Sequence, residues 1–160
     1  MNNPVPVAIA LGSNLGDRAA HLDAALAQLS SVLDHLTASS RFETDPVGVT
    51  GEQPRFLNAA AIGTTRLPAS ELLDRLLDIE ASRGRERPFP LAPRTLDLDL
   101  IFYGDAVIDT ARLQVPHPRV RERRFVLAPL AEIAPEWRDP VTGRTVWELL
   151  SRLPPEDGPT

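Results

Sequence analysis

Pro93-Arg94-Thr95-Leu96-Asp97-Leu98-Asp99-Leu100-Ile101-Phe102-Tyr103 reads as a strand, yet it carries two carboxylates. Successive side chains of a strand point to opposite faces. Asp97 and Asp99 therefore share one face, and Leu96, Leu98, Leu100 and Phe102 are expected together on the other. The run has a core side and a side of paired negative charge. An exposed sheet face can carry two Asp residues without function, but Asp is a poor strand former and its repetition here asks for a reason. Two carboxylates roughly 6 to 7 Å apart, at about 3.3 Å rise per residue, repel each other in a partly buried site unless a hard cation lies between them. Mg²⁺ suits such a pair, because it takes one or two carboxylates, keeps several waters and completes its shell with substrate phosphates.

Outward from this run the chain alternates strand and helix patterns. Val5–Leu11 is a short apolar strand that stops at Gly12-Ser13-Asn14. Ser13 or Asn14 is expected to cap a helix with Asp17 in its first turn, whose apolar residues from Leu22 to Leu36 carry it as far as about His35. Leu36–Thr44 reads as a second strand, closed by Asp45-Pro46 and a Gly-containing loop through Pro54. Phe56–Thr65 is a third strand. Pro68 and Ser70 open a second helix, lined by Leu72, Leu73, Leu76, Leu77 and Ile79 and ending near Gly84. Residues 85–93 form an Arg- and Pro-bearing loop before the acidic strand. A turn at Gly104-Asp105, a short strand at Val107-Ile108, a loop holding Pro116-His117-Pro118, a helix over about Arg121–Glu132 and a helical turn around Trp147–Leu150 complete the pattern. Residues from Pro154 onward are expected to fray. The order β-α-β-β-α-β, with helices packed on one face of an antiparallel sheet, is the ferredoxin-like α+β arrangement. With no internal repeat, residues 1–160 read as a single domain.

The composition narrows the partners. The chain has 160 residues, 42% of them hydrophobic, and no stretch of 18 or more apolar residues, which fits one globular domain without a membrane span. Met1-Asn2-Asn3-Pro4 lacks the basic and apolar regions of a secretory signal, so a cytoplasmic location is expected. Without cysteine there are no disulfides, thiolate metal sites or cysteine nucleophiles. A net charge of -5 speaks against nucleic acid as a partner. All 17 basic residues are arginines, and nine of them fall between Arg83 and Arg124, where the local balance is +3 against -8 for the rest. A planar guanidinium fork matches phosphate oxygens, so the concentration fits a small polyanion better than a polymer.

Several single residues gain meaning only in combination. Gly12-Ser13-Asn14-Leu15-Gly16-Asp17 lacks both the Gly-Lys-Ser/Thr ending of a P-loop and a dinucleotide-binding glycine pattern, so it reads as a capped strand-to-helix turn. Glu80 near the end of the second helix reads as a solvated helix end by position alone. His117 is restrained between prolines, and Phe56 and Phe125 would be core fillers on pattern alone.

Taken in order, Leu11-Gly12-Ser13-Asn14-Leu15-Gly16, Phe56-Leu57-Asn58-Ala59-Ala60, Pro93-Arg94-Thr95-Leu96-Asp97-Leu98-Asp99 and Val115-Pro116-His117-Pro118 closely resemble the 6-hydroxymethyl-7,8-dihydropterin pyrophosphokinase family. The resemblance spans nearly the whole chain. It implies a ferredoxin-like monomer that transfers the β,γ-diphosphate of ATP to the hydroxymethyl group of the pterin and releases AMP. By the same resemblance Asp97 and Asp99 match ligands of two Mg²⁺ ions that bridge the ATP phosphates, and Arg85 and Arg94 match phosphate-clamping arginines. Asn58 matches the reader of the pterin's amide-like edge, Phe56 and Phe125 its aromatic walls, and Thr44, Pro46 and Val47 the loop touching the ring. Glu80, Arg112, Gln114, His117 and Arg123 align with ATP or phosphate contacts. Two departures stand out: Phe89-Pro90-Leu91-Ala92 replaces an Arg-Trp-Gly run of many relatives, and Gln114 replaces a common Thr.

Two other classes remain on the sequence. A different two-metal enzyme on this fold, such as a nucleotidyltransferase, would use the same aspartates but release pyrophosphate. An RNA-binding module would want exposed aromatic strands and a basic sheet, against which stand 5% aromatic residues and a net charge of -5.

Overall fold

Val7 through Leu11 are all buried, so the first strand, β1 (Val5–Ser13), runs through the middle of the molecule. In the computed structural model, which describes residues 3–44, 55–84 and 95–154, β1 pairs antiparallel with β4 (Phe56–Thr65) on one side and β5 (Asp97–Tyr103) on the other. β2 (Asp34–Ala38) and β3 (Phe42–Thr44) both pair with the far side of β4, giving the sheet order β2-β4-β1-β5. β6 (Ile108–Asp109) and β7 (Gln114–Val115) form a separate small hairpin. The fold is α+β and ferredoxin-like.

The helices cover both faces of the sheet, not one. Leu22, Ala25 and Leu29 of α1 (Arg18–Leu29) and Leu72, Leu76 and Ile79 of α2 (Ala69–Ser82) recur at helical spacing and bury against Val7, Ile9, Leu11, Leu98 and Leu100. The opposite face meets Val126, Leu127 and Leu130 of α3 (Arg124–Ile133) and Val146 and Leu149 of α4 (Val146–Ser151), packed on Ala8, Ala10, Ala60, Ile101 and Phe102. Burying a leucine such as Leu72 or Leu127 fully contributes about 1.5 to 3 kcal/mol, so both layers are needed to offset the entropy of folding. Phe102 lies on the α3/α4 side, contrary to strict alternation. β5 bulges at Ile101, where Ala8 opposes Phe102 but Ile9 opposes Leu100, and the extra residue turns the strand over. Leu96, Leu98 and Leu100 keep the expected face, and Tyr103 is returned to it, with its hydroxyl donating to the Leu67 carbonyl at 2.5 Å.

Other boundaries shift for identifiable reasons. The cap of α1 is Asp17, whose Oδ1 accepts from the Ala20 N–H at 3.0 Å, while Ser13 and Asn14 are wholly buried. α1 ends at Leu29 rather than near His35. Leu33 still buries in the same cluster, but from a turn, and His35 takes a φ of 57° inside β2. The expected strand over residues 36–44 is broken into β2 and β3, separated where Ser39 donates its N–H to the Ala60 carbonyl and Ser40 bonds Glu132. Pro68, not Ser70, occupies the N-cap position of α2, with no side-chain capping hydrogen bond. The expected helix from Arg121 splits into a 3₁₀ turn (Val120–Glu122) and α3, because Arg123 is extended with φ -108° and ψ 93°. Among the described residues no helix is long and apolar enough to cross a membrane. The expected fray past Pro154 and the loops at 45–54 and 85–94 lie outside the described residues.

Candidate active site

Two rows of residues cross the centre of the sheet on its α3/α4 face. Ala60 of β4 opposes Ala10 of β1, which opposes Asp99 of β5, and one row further along Asn58, Gly12 and Asp97 stand side by side. Ala10, Ala60 and Ile101 belong to the cluster under α3 and α4, so the period of two places Gly12, Asn58, Asp97 and Asp99 on that same face. That cluster reaches the Ala10–Ala60 row and does not include the Asn58–Gly12–Asp97 row. Gly12 gives this row no side chain at its centre, between the Asn58 carboxamide on one side and the Asp97 carboxylate on the other.

Neighbouring elements bring further polar groups to this end of the sheet. Phe42 of β3 faces Asn58 and Thr44 faces Phe56; Asn58 Nδ2 donates diagonally to the Thr44 hydroxyl at 2.6 Å, and Asn58 is only 5% exposed. Phe56 lies two residues before Asn58 on the same side of β4 and is half-buried. Phe125 opens α3, half-buried, with the Arg123 guanidinium 5.4 Å from its ring centroid.

β5 is an edge strand, and its outer side is where two of the predicted residues attach. Glu80 is buried, and its Oε2 accepts from the Leu98 N–H at 2.7 Å, between the two aspartates. That is a supporting position in the core, not a solvated helix end. His117 donates its backbone N–H to the Ile101 carbonyl at 3.1 Å, and its Nδ1 accepts from the Arg119 N–H at 3.2 Å. A neutral His117 so held carries its proton on Nε2. Burial is the main influence on its imidazole, pushing the pKa below the ordinary value; Asp99 pulls the other way, and Arg123 and Arg119 add to the lowering. His117, Asp99 and Arg123 thus form one electrostatic neighbourhood.

The remaining predicted residues are placed less centrally or not described. Arg112 is exposed and ion-paired with Asp74 of α2, and Gln114 is exposed with its Nε2 donating to Asp109 Oδ1 at 3.2 Å. Pro46, Val47, Arg85 and Arg94 lie outside the described residues, as do Phe89–Ala92. Sequence reasoning gave Gly12 no part beyond a turn; the available signal was a glycine closing an apolar strand with no turn geometry to require it. Ser13 Oγ and Thr95 Oγ1 are buried without a hydrogen-bond partner among the described residues, beside the two ends of the Gly12–Asp97 pair in sequence.

The donor chemistry fits a hard divalent cation. Asp97 and Asp99 offer carboxylate oxygens from one strand face, both half-buried, and the facing positions Gly12 and Ala10 are too small to fill the space above them. Among the described residues no group of three or more His, Cys, Asp or Glu forms a closed metal cage. A pair of carboxylates is what Mg²⁺ uses when phosphates and water supply the rest of its shell.

Fold and site together define a ferredoxin-like α+β protein whose sheet sets a buried carboxamide beside two half-buried carboxylates. Residues 8–135 match the model of the 7,8-dihydro-6-hydroxymethylpterin-pyrophosphokinase (HPPK) family. The chain is 47% identical over 152 residues to the 2-amino-4-hydroxy-6-hydroxymethyldihydropteridine pyrophosphokinase of Bacillus subtilis, covering 89% of this chain and 90% of that one. It is 41% identical over 150 residues to the protein of the same description from Pseudomonas aeruginosa, covering 92% and 91%. In three dimensions it resembles wild-type Plasmodium falciparum HPPK-DHPS with a TM-score of 0.75 at 15% identity, covering 95% of this chain. It spans 45% of that longer chain, and the likeness there is one of fold. The chain belongs to the 7,8-dihydro-6-hydroxymethylpterin-pyrophosphokinase family.

Proposed function

We infer that this chain transfers diphosphate from ATP to the hydroxymethyl group of 6-hydroxymethyl-7,8-dihydropterin, giving AMP and the pterin diphosphate for folate synthesis. Family membership supports the reaction. The observation that carries the assignment of parts is the row Asn58–Gly12–Asp97, which sets a hydrogen-bonding side chain and a carboxylate on one face, one strand apart on either side. Two strand spacings are about 10 Å, which suits a bicyclic substrate bound at one edge with its reacting carbon at the other.

In this reading Asn58 and Thr44 hold the amide-like edge of the pterin, with Phe56 and Phe125 against the ring and Pro46 and Val47 completing the loop side. Asp97 and Asp99 would hold two Mg²⁺ ions, which would supply charge stabilisation to the phosphates. The hydroxymethyl oxygen attacks the β-phosphorus in line; the bond formed is from that oxygen to β-phosphorus, the bonds broken are its own O–H, whose proton passes to water, and the bond from β-phosphorus to the α,β-bridging oxygen, with which AMP leaves. Arg85, Arg94 and Arg123 place guanidinium charge against the phosphates, and His117 donates from Nε2 to a phosphate oxygen. Arg112 reaches the nucleotide on leaving Asp74, and Gln114 lies beside it. Glu80 contributes by holding β5 straight between its carboxylates. Little covalent work is left for the protein, since such transfers depend on positioning and on stabilising charge. We place the enzyme in the cytoplasm as a single-domain monomer acting on small molecules.

Product analysis tests the reading. AMP release from ATP is expected to require the pterin and Mg²⁺ together. Release of pyrophosphate instead of AMP would assign the carboxylates to a nucleotidyltransferase.

A further inference from the structure

Gly12 is buried in the middle of the sheet, at a backbone conformation that any residue adopts. Glycine inside a strand is destabilising relative to alanine, so its presence needs a local cause. The surroundings supply one. A Cβ built on Gly12 would stand 3.1 Å from Asn58 Oδ1 and 3.6 Å from Phe56 Cδ1. The first distance is tight, so that the carboxamide would have to give by a few tenths of an ångström, and Asn58 is held in place. Its Nδ2 is tied to the Thr44 hydroxyl at 2.6 Å, and the residue is 5% exposed. The small residues continue along this face at Ala10 and Ala60.

We propose that Gly12 is a positioning and specificity residue of this enzyme: its missing side chain leaves room for the Asn58 carboxamide to keep its hydrogen bond to the Thr44 hydroxyl, the geometry in which Asn58 reads the edge of the pterin. The proposal rests on the pterin assignment made above for Asn58. A methyl group at position 12 acts through Asn58. Among the described residues only Asn58 and Phe56 lie within 4 Å of such a methyl, so the effect falls on the pterin side and not on the carboxylates or the arginines.

The test is a double-mutant cycle of Gly12→Ala and Asn58→Ser, in which the shorter serine removes the atom that crowds position 12. For Gly12→Ala the pterin KM is expected to rise about tenfold or more, the range over which small steric changes discriminate substrates, while the affinity for a non-hydrolysable ATP analogue with Mg²⁺, read by calorimetry, stays within about twofold. On the Asn58→Ser background the same glycine substitution is expected to add little, whether or not Gly12→Ala alone folds well enough to assay. Unchanged pterin KM in Gly12→Ala, equal loss of pterin and ATP-analogue affinity, or effects that simply multiply in the double variant would each overturn the proposal. If Asn58→Ser itself leaves pterin affinity intact, the pterin assignment fails, an outcome distinct from a failure of Gly12 alone.

Discussion

Asp97 and Asp99 owe their common direction to a period of two that sequence alone displays, and their half-buried setting to small partners that it does not. Ala10 and Gly12 become their neighbours only through the register of β1 with β5. Glu80 shows the same limit from the other side: helical periodicity puts it near Leu76 and Ile79, but nothing local says that its carboxylate will meet the Leu98 N–H. His21 offers a residue-scale prediction away from the site. Its Nδ1 accepts from Arg83 Nε at 3.0 Å, joining the start of α1 to the end of α2. Burial above all, and then the Arg83 charge, depress its pKa below 6.5, with Asp17 opposing. The unfolded chain therefore binds a proton at this position more readily than the native state. The sign follows: stability rises with pH, is complete above about 6.5, and is lost progressively as pH falls from there toward the depressed folded value. Urea unfolding at pH 7.5 and at pH 5.5 should show His21→Gln losing less stability on acidification than the parent, and an equal loss in both would remove His21 as a source of the slope.

At the scale of elements, Phe56–Thr65 was legible as a largely apolar run between turn residues, four of whose successive residues are buried, and the body of α2 because helical spacing coincides with the buried Leu72, Leu76 and Ile79. The end of α1 was not, because Val32, Leu33 and Leu36 continue the helical spacing after the chain has turned, and Leu33 satisfies the same core from a different conformation. The 3₁₀ turn before α3 was also hidden, since what fixes it comes from a distant segment. Arg121 Nε and NH2 donate to Asp139 at 2.6 and 3.0 Å, and Asp139, fully buried, also accepts from the Val141 N–H and the Thr142 hydroxyl. Burial acts to raise the Asp139 pKa, but these hydrogen bonds outweigh it and hold the carboxyl below its ordinary value. Asp139→Ala should lower stability by about 2 to 3 kcal/mol, at the low end for a broken buried pair because Arg121 is itself 30% exposed and can be rehydrated. Since this pair anchors the turn leading to Arg123 and Phe125, the variant's loss should be visible in chemical unfolding before activity is assayed. A change under about 0.5 kcal/mol would mean that the turn is fixed by other contacts.

On the scale of the molecule, the antiparallel sheet with paired helices was readable from element order, while the second helical layer was not. α3 and α4 look in sequence like an appended tail. They become a layer because the bulge at Ile101 directs Phe102 toward them, where it stacks on Trp137 at 5.8 Å between ring centroids. The apolar cluster under that layer takes in Ala8, Ala10 and Ala60, and the same sheet face continues into Gly12, Asn58 and the two aspartates, so that core and candidate site share one face. The acidic pair at the boundary between them is the centre of the account. Steady-state turnover of Asp97→Ala and Asp99→Ala, with thermal unfolding run on the same preparations, tests it most directly. Both variants are expected to stay folded and to lose about a thousandfold or more in kcat, the scale on which charge stabilisation contributes to such transfers. Near-normal turnover in both folded variants would contradict it.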